Sequence, residues 1–473
     1  MSNDYRIEKD SLGELRVPAD AYYGINVARA LVNFPISRRT IHPRIIDAYC
    51  WIKKAAAKVN QEAGRLPGNK AAAIRKAADE VLAGKLRGQF VVDMFQAGAG
   101  TSTNMNANEV LCNRALELLG FAKGDYAQLN PNDHVNMGQS TNDTYPTAMR
   151  LALRATLEDF YPEAERLAQA LTTIGKKYNR TIKSGRTHLQ DAVPVTLGGE
   201  FTAYARAVRT GVKHIKRTAQ DLLELGIGGS AAGTGMNTHP AYAQRMAEEL
   251  AKETGQPFRK SPDLIHAMQS QQPIGSVSGA LRDFAVELGR IANDLRLLSS
   301  GPTTGLAEIK LPAVQAGSSI MPGKINPSIP EMVNMVCFQV IGNDLTVSQA
   351  VAAGQMELNV MMPIMAENAL ESVEVLTGAC RQLALRCVQG ITADPPRCLD
   401  YAYRSMGLAT ALAPTIGYLA AAGVAKRALA EGKTVPELVR AEGLLSEKEL
   451  KHVLNPARMT RPDPELARQK RKK

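Results

Sequence analysis

Gly317-Ser318-Ser319-Ile320-Met321-Pro322-Gly323-Lys324-Ile325-Asn326-Pro327 runs directly into Ser328-Ile329-Pro330-Glu331. The first stretch holds two hydroxyls, an ammonium and a carboxamide. Its glycines and prolines stop it from continuing as helix or strand, so it reads as a loop. The second stretch has the Ser-x-x-Glu spacing of a capping box, and Val333, Val336, Cys337, Val340 and Ile341 then recur at helical spacing. A long helix is expected to begin there. A polar loop held at the end of a rigid helix suits chemistry, because the loop can fold over a ligand while the scaffold fixes its ends. A surface turn before an ordinary capped helix has the same composition, so these residues alone leave both readings open.

Outward from this stretch, long helical patterns alternate with short polar loops. Helices are expected over about 43–63, 69–86, 196–225, 240–255, 276–298, 329–353 and 356–389, with others ending near Leu119 and Lys177. Tyr5-Arg6-Ile7 and Leu15-Arg16-Val17 flank a turn-like Asp10-Ser11-Leu12-Gly13 and read as a hairpin, with strand signals nearly nowhere else. Pro395-Pro396 marks a boundary before shorter helices at roughly 404–432, with a break near Pro414, then 435–442 and 447–453. Many of these segments exceed the usual globular helix of about 11–12 residues. Helices that long must bury their apolar faces on one another, which gives an all-α, long-helix bundle with loops collected at its ends. The expected division is an N-terminal domain at 1–141, a central bundle at 142–395, and a small helical C-terminal domain with a basic tail at 396–473.

At 473 residues the chain can bury a sizeable core, and 45% hydrophobic residues with a single Trp favour Ala/Leu/Val helices over a β-sandwich. No charged-then-apolar leader and no apolar run of membrane length stand in the sequence, so the cytoplasm is the expected location. Six scattered cysteines without Cys-x-x-Cys, and seven dispersed histidines without His-Glu-x-x-His, predict reduced thiols and no recognisable metal site. Of the net charge of +11, Arg468, Lys470, Arg471, Lys472 and Lys473 carry five at the C-terminus. That tail reads as solvated. Nucleic-acid binding by it is disfavoured, for no aromatic residues or reader motif accompany the basic run. The mildly positive remainder would draw small dianions.

Three further polar clusters punctuate the helices. In Gly98-Ala99-Gly100-Thr101-Ser102-Thr103-Asn104-Met105-Asn106, the glycines allow close backbone approach, and Thr101 stands just before a helix N-terminus able to hold a carboxylate. Thr103 or Asn104 acting as a simple cap explains the same residues. Gln139-Ser140-Thr141-Asn142-Asp143-Thr144-Tyr145-Pro146 repeats the arrangement, with Pro146 suited to the first turn of the next helix. His134, beside Asp133, is assigned to structure. In Gly185-Arg186-Thr187-His188-Leu189-Gln190-Asp191-Ala192-Val193-Pro194, His188 either orients a substrate or moves a proton, or is a satisfied loop histidine. Gly226-Ile227-Gly228-Gly229-Ser230-Ala231 and Gly317 to Lys324 look like nucleotide-binding loops and are not. The first follows a helical pattern, and the second has one residue too many between its glycines and lacks the closing Ser/Thr.

Taken together, 317–327, Gly-Ala-Gly-Thr-Ser-Thr-Asn-Met-Asn at 98–106, Gln-Ser-Thr-Asn-Asp at 139–143, Gly-Arg-Thr-His-Leu-Gln-Asp-Ala at 185–192, Glu-Leu-Asn-Val at 357–360 and Val-Pro-Ala-Asp-Ala-Tyr-Tyr-Gly at 17–24 resemble the signature regions of the aspartase/fumarase superfamily. The resemblance covers the chain to about residue 460. The branch it most resembles is the aspartases. Class II fumarases typically have Ser-Ser-Asn-Asp at the place of 140–143 and Thr-Gln-Ser-Asn-Met-Asn at that of 101–106. His188 does not discriminate, since some aspartases carry Gln there and fumarases carry His. The resemblance implies a carbon–nitrogen lyase converting L-aspartate reversibly to fumarate and ammonia, with a class II fumarase acting on L-malate as the alternative. A catalytically retired member of the fold is a further alternative, against which Ser318, Lys324 and Asn326 stand.

It further implies no organic cofactor, and a homotetramer whose active sites each draw on three subunits. Residues 101 and 140–142 would come from one subunit, 187–188 from a second and 318–326 from a third. Ser318 would be the base; Thr101, Ser140, Thr141 and Ser319 would clamp the β-carboxylate. Lys324 and Asn326 would hold the α-carboxylate, and Asn142, Thr187 and His188 would orient it or the ammonium leaving group.

Overall fold

The computed structural model describes residues 4–462. It is an all-α helical bundle fold whose β-structure, among the described residues, consists of four two-stranded pairs and two isolated bridges. Five helices dominate: Thr141–Lys177, Leu197–Thr218, Gln272–Leu298, Ser328–Ala352 and Met362–Arg386, of 37, 22, 27, 25 and 25 residues. The chain divides into two compact units. One gathers Met1–Pro162, Gly211–Val286 and Val336–Thr377, the other Glu163–Thr210, Glu287–Met335 and Gly378–Lys473. Each long helix contributes a segment to both.

In the first unit the helix segments interlock through small residues and buried polar pairs. The Phe160 and Phe284 rings meet edge to face at 5.3 Å, and a β-carbon at Gly211 would fall 2.7 Å from the Phe284 ring. Ser278 Oγ donates to Asp344 Oδ1 at 2.7 Å, and Asn343 Nδ2 to Ser372 Oγ at 3.1 Å. The Pro43–Glu62 helix shows how local sequence sets this packing. Pro43 takes the first position, the His42 ring accepts the Arg44 N–H as a cap, and Ile45, Tyr49, Ile52, Ala56 and Val59 make one buried stripe. Lys53 lies on that same buried face.

In the second unit, Gly175 and Gly198 allow close backbone approach between two helices, and Tyr204 Oη donates to Asp294 Oδ2 at 3.0 Å. A small apolar cluster including Leu408, Leu412, Val424, Val435, Leu438 and Leu450 holds the C-terminal helices. Capping boxes at Thr434/Glu437 and Ser446/Glu449 start two of them.

Several sequence expectations change here. A second hairpin, Ile182–Thr187 with Gln190–Thr196, occupies what reads as a loop. Its signal is masked by polar side chains, by Gly185 at a register shift and by Pro194 paired with Ser184. The Ser328–Ala352 helix forms, but without the expected capping box, since Ser328 Oγ is buried without a partner. Met362, not 356, begins the next long helix. Met356 adopts φ +50°, and the Asn359 side chain turns back to the carbonyls of Ala350 and Val351. Near Pro414 the chain breaks instead at Gly417, where φ is +85°. His134 makes the local bond expected of it, its Nδ1 accepting the Asn130 N–H at 2.8 Å. The basic tail at 468–473 lies outside the described residues.

Candidate active site

The first unit contains Thr101, Ser140, Thr141 and Asn142, each at a helix start. Thr101 opens the Thr101–Leu118 helix, is exposed, and has no side-chain cap before it. Gly100 precedes it at φ +84° with the Tyr145 ring pressed against its α-carbon, and the Ala99 N–H donates to Val360 O at 2.8 Å. The Glu357–Val360 turn thus fixes the approach to the helix, which leaves backbone N–H groups and the positive dipole end facing outward. Thr141 opens the Thr141–Lys177 helix. Ser140 Oγ accepts the Asn142 N–H at 3.2 Å, and Asn142 Nδ2 donates to Ala231 O at 2.9 Å.

Beneath this surface lies a buried polar layer that the sequence does not single out. Asn104 Nδ2 donates to Thr141 Oγ1 at 3.0 Å, tying the two helix starts together. Lys53 Nζ reaches Asn104 Oδ1 at 2.8 Å, and Asn136 Oδ1 and Gln139 Oε1 each at 2.9 Å. Burial pushes the Lys53 ammonium down to about 7, against the pull of the Asp143 carboxylate. Asp143 is itself fully buried. It accepts the N–H groups of Ser140 at 2.9 Å, Gly228 at 2.9 Å and Ser230 at 3.0 Å. Burial raises it to about 6 in spite of those bonds. The Gly226–Ala231 loop therefore does cradle an anion, but it is the chain's own aspartate. Asn104 reads from sequence as a cap, and Lys53 as one more lysine on a helix, so only the polar cluster around 98–106 hints at the layer.

The second unit contains Thr187, His188, Ser318, Ser319, Lys324 and Asn326. His188 and Leu189 form the two-residue turn of the second hairpin, both at positive φ, +55° and +59°. Such a turn normally takes Asn and Gly, so two bulky residues there hold His188 exposed at the tip at a cost in backbone strain. The hairpin is fixed from below by charge. Fully buried Glu308 meets Arg186 Nη1 at 3.0 Å and Lys183 Nζ at 3.2 Å, and Lys183 also donates to Glu200 Oε1 at 2.8 Å.

The 317–327 loop is closed on itself. The Gly317 N–H donates to Lys324 O at 2.8 Å, and Asn326 Nδ2 to Gly317 O at 2.6 Å. Ser318 Oγ, half-buried, receives the N–H groups of Ile320 at 3.2 Å and Met321 at 2.9 Å. Ser319 and Lys324 are exposed. Among the described residues no hydrogen bond joins Thr187 or His188 to this loop, and no group of three His, Cys, Asp or Glu side chains is placed to hold a metal ion. No described helix is long and apolar enough to cross a membrane.

The lyase family profile matches residues 13–342, and the fumarase C C-terminus profile matches residues 408–461. An aspartate ammonia-lyase of Pseudomonas aeruginosa is 49% identical over 460 residues, 97% of each chain. Among solved structures, a fumarate lyase:delta crystallin from Brucella melitensis bound to cobalt superposes with a TM-score of 0.94 at 49% identity, over 97% of this chain and 100% of that one. A class II fumarase from Schistosoma mansoni gives 0.93 at 36% identity, over 97% and 99%.

Proposed function

The chain belongs to the lyase family that unites aspartate ammonia-lyases with class II fumarases, and on that footing we propose that it converts L-aspartate reversibly to fumarate and ammonia. The observation that carries the chemistry is the pair of backbone N–H groups converging on Ser318 Oγ. A serine hydroxyl is far too weak an acid to serve as base unless its alkoxide is stabilised, and two N–H donors aimed at the oxygen supply that stabilisation. Ser318 then takes the proton from the carbon beside the β-carboxylate. The charge spreads into that carboxylate, which becomes an enediolate-like dianion and must be held by donors placed in advance. Thr101, Ser140, Thr141 and Ser319 are assigned to that clamp, the first three standing at positive helix ends. Lys324 and Asn326 are assigned to the α-carboxylate, with Thr187 and His188 orienting the substrate. Loss of ammonia from the dianion then gives fumarate.

Asn142 is assigned to the substrate amine. One N–H of its carboxamide is used on Ala231 O, and Oδ1 is left to accept from a substrate ammonium. The deciding experiment offers L-aspartate and L-malate separately and follows fumarate by its ultraviolet absorbance. Release from aspartate alone is expected; release from malate alone would make the chain a fumarase. For Lys324→Ala, KM for aspartate is expected to rise about tenfold or more together with a fall in kcat, since the ammonium pairs with charge already present in the ground state. An unchanged KM would remove Lys324 from the α-carboxylate.

Site completion by neighbouring subunits is part of the same reading. Met335, Phe338, Ile341 and Leu345 form an exposed apolar stripe on the Ser328–Ala352 helix, with Phe338 66% and Leu345 64% exposed. A stripe of that kind on a long helix fits association with further copies. Sedimentation of the wild type is expected to give a tetramer, and a monomer with full activity would refute the shared site.

A further inference from the structure

The Thr141 hydroxyl has an inward neighbour that sets its direction. Asn104 Nδ2 donates to Thr141 Oγ1 at 3.0 Å, so the Thr141 oxygen accepts from within and its proton is left for the outward side. Were the carboxamide reversed, Oδ1 would face Thr141 and draw that proton inward. The orientation of Asn104 therefore decides whether Thr141 can donate to an anion.

Lys53 decides the orientation of Asn104. An ammonium has three protons and no acceptor, and the partners of Lys53 Nζ are three carboxamide oxygens: Asn104 Oδ1, Asn136 Oδ1 and Gln139 Oε1. Each carboxamide must turn its oxygen to the lysine and its NH2 away. Gln139 Nε2 then donates to Val135 O at 3.1 Å, and Asn136 Nδ2 to Gln139 O at 3.3 Å, which holds the turn leading to Ser140. Among the described residues Lys53 has no carboxylate at ion-pair distance; the Tyr49 ring lies 5.6 Å from Nζ, and the opposing charge that acts on it is the Asp143 carboxylate. Keeping a charge fully buried without a direct counter-ion is costly, and an apolar side chain of the same length would fill the space more favourably. That cost has a return if the ammonium's polarity is what the site needs.

We propose that Lys53 is a positioning residue which, by orienting Asn104, fixes Thr141 as a hydrogen-bond donor toward the substrate carboxylate. The identity of the ligand rests on the reaction proposed above.

The test is a double-mutant cycle with L-aspartate and, in parallel, L-malate, both of which carry a carboxylate beside the carbon that loses its proton. Lys53→Met is expected to lower kcat about 100-fold, the scale of one lost donor at a developing oxyanion, while KM rises only about fivefold. Thr141→Val should cost about as much, and the double variant no more than Thr141→Val alone. Asn104→Asp keeps an acceptor for Lys53 but removes the donor to Thr141. It should reproduce both the loss and the non-additivity, and it carries the test if Lys53→Met does not fold. Losses that multiply in the double variants, or wild-type kcat in Asn104→Asp, would overturn the proposal. Calorimetric titration with succinate separates it from the reaction itself. Even if the wild type turned over neither substrate, Lys53→Met should weaken succinate about fivefold in the Thr141 protein and not in the Thr141→Val protein, and equal weakening in both would overturn it.

Discussion

Ser318→Ala is expected to lower kcat for aspartate by about 10³-fold or more while KM, the subunit assembly and the thermal midpoint stay near wild type. The size follows from what the hydroxyl is asked to do. A C–H bond beside a carboxylate is a very weak acid, and of the two hydroxyls in the 317–327 loop it is Ser318 Oγ that receives two backbone N–H donors able to steady an alkoxide. The unchanged fold follows from the loop itself. Ser318 contributes only the two local bonds from the Ile320 and Met321 N–H groups, while the Gly317–Lys324 and Asn326–Gly317 bonds close the loop without it. Stopped-flow measurement of fumarate formation reads the rate. Activity within about tenfold of wild type would take Ser318 out of the proton transfer.

Gly100→Ala is expected to produce the largest loss of stability among single conservative changes near the site, about 2–5 kcal/mol. Two effects add. Gly100 sits at φ +84°, where a β-carbon costs about 1–2 kcal/mol, and that carbon would collide with the Tyr145 ring, an overpacking cost of about 1–3 kcal/mol. Tyr145 is 2% exposed and packs edge to face on Tyr49 at 6.2 Å, so it has nowhere to retreat. A urea series followed by circular dichroism should show the midpoint falling sharply. KM should rise too, because the start of the Thr101 helix moves with Gly100. A midpoint within experimental scatter of wild type would mean that Tyr145 yields more easily than its burial indicates. Gly323→Ala is the comparison: its φ of +78° carries the backbone cost, but nothing lies within 4 Å of the added carbon.

The helices were readable because each reports its own face locally. Ile45, Tyr49, Ile52, Ala56 and Val59 keep helical spacing whatever they pack against, and the spans at Pro43–Glu62, Tyr242–Thr254 and Glu447–Val453 match their sequence patterns closely. The second hairpin was not readable, since its stability comes from Glu308, Lys183 and Arg186 and not from alternating apolar residues. Ser328 shows the opposite failure. A correct local pattern went unused because a buried environment, not the Glu331 side chain, surrounds the hydroxyl.

The linear chain by itself determined that this protein is a bundle of long helices, and it set apart polar segments at 98–106, 139–143, 185–192 and 317–327 as the candidate site, because helical periodicity and the turn chemistry of Gly and Pro are short-range properties. Only the tertiary structure decided which partners each polar residue meets. It brought Lys53 under Thr141 through Asn104, wrapped the 226–231 glycines around Asp143, and raised His188 on a charge-anchored hairpin. Hydrogen-bond polarity and burial belong to partners distant in sequence, and no local pattern encodes them.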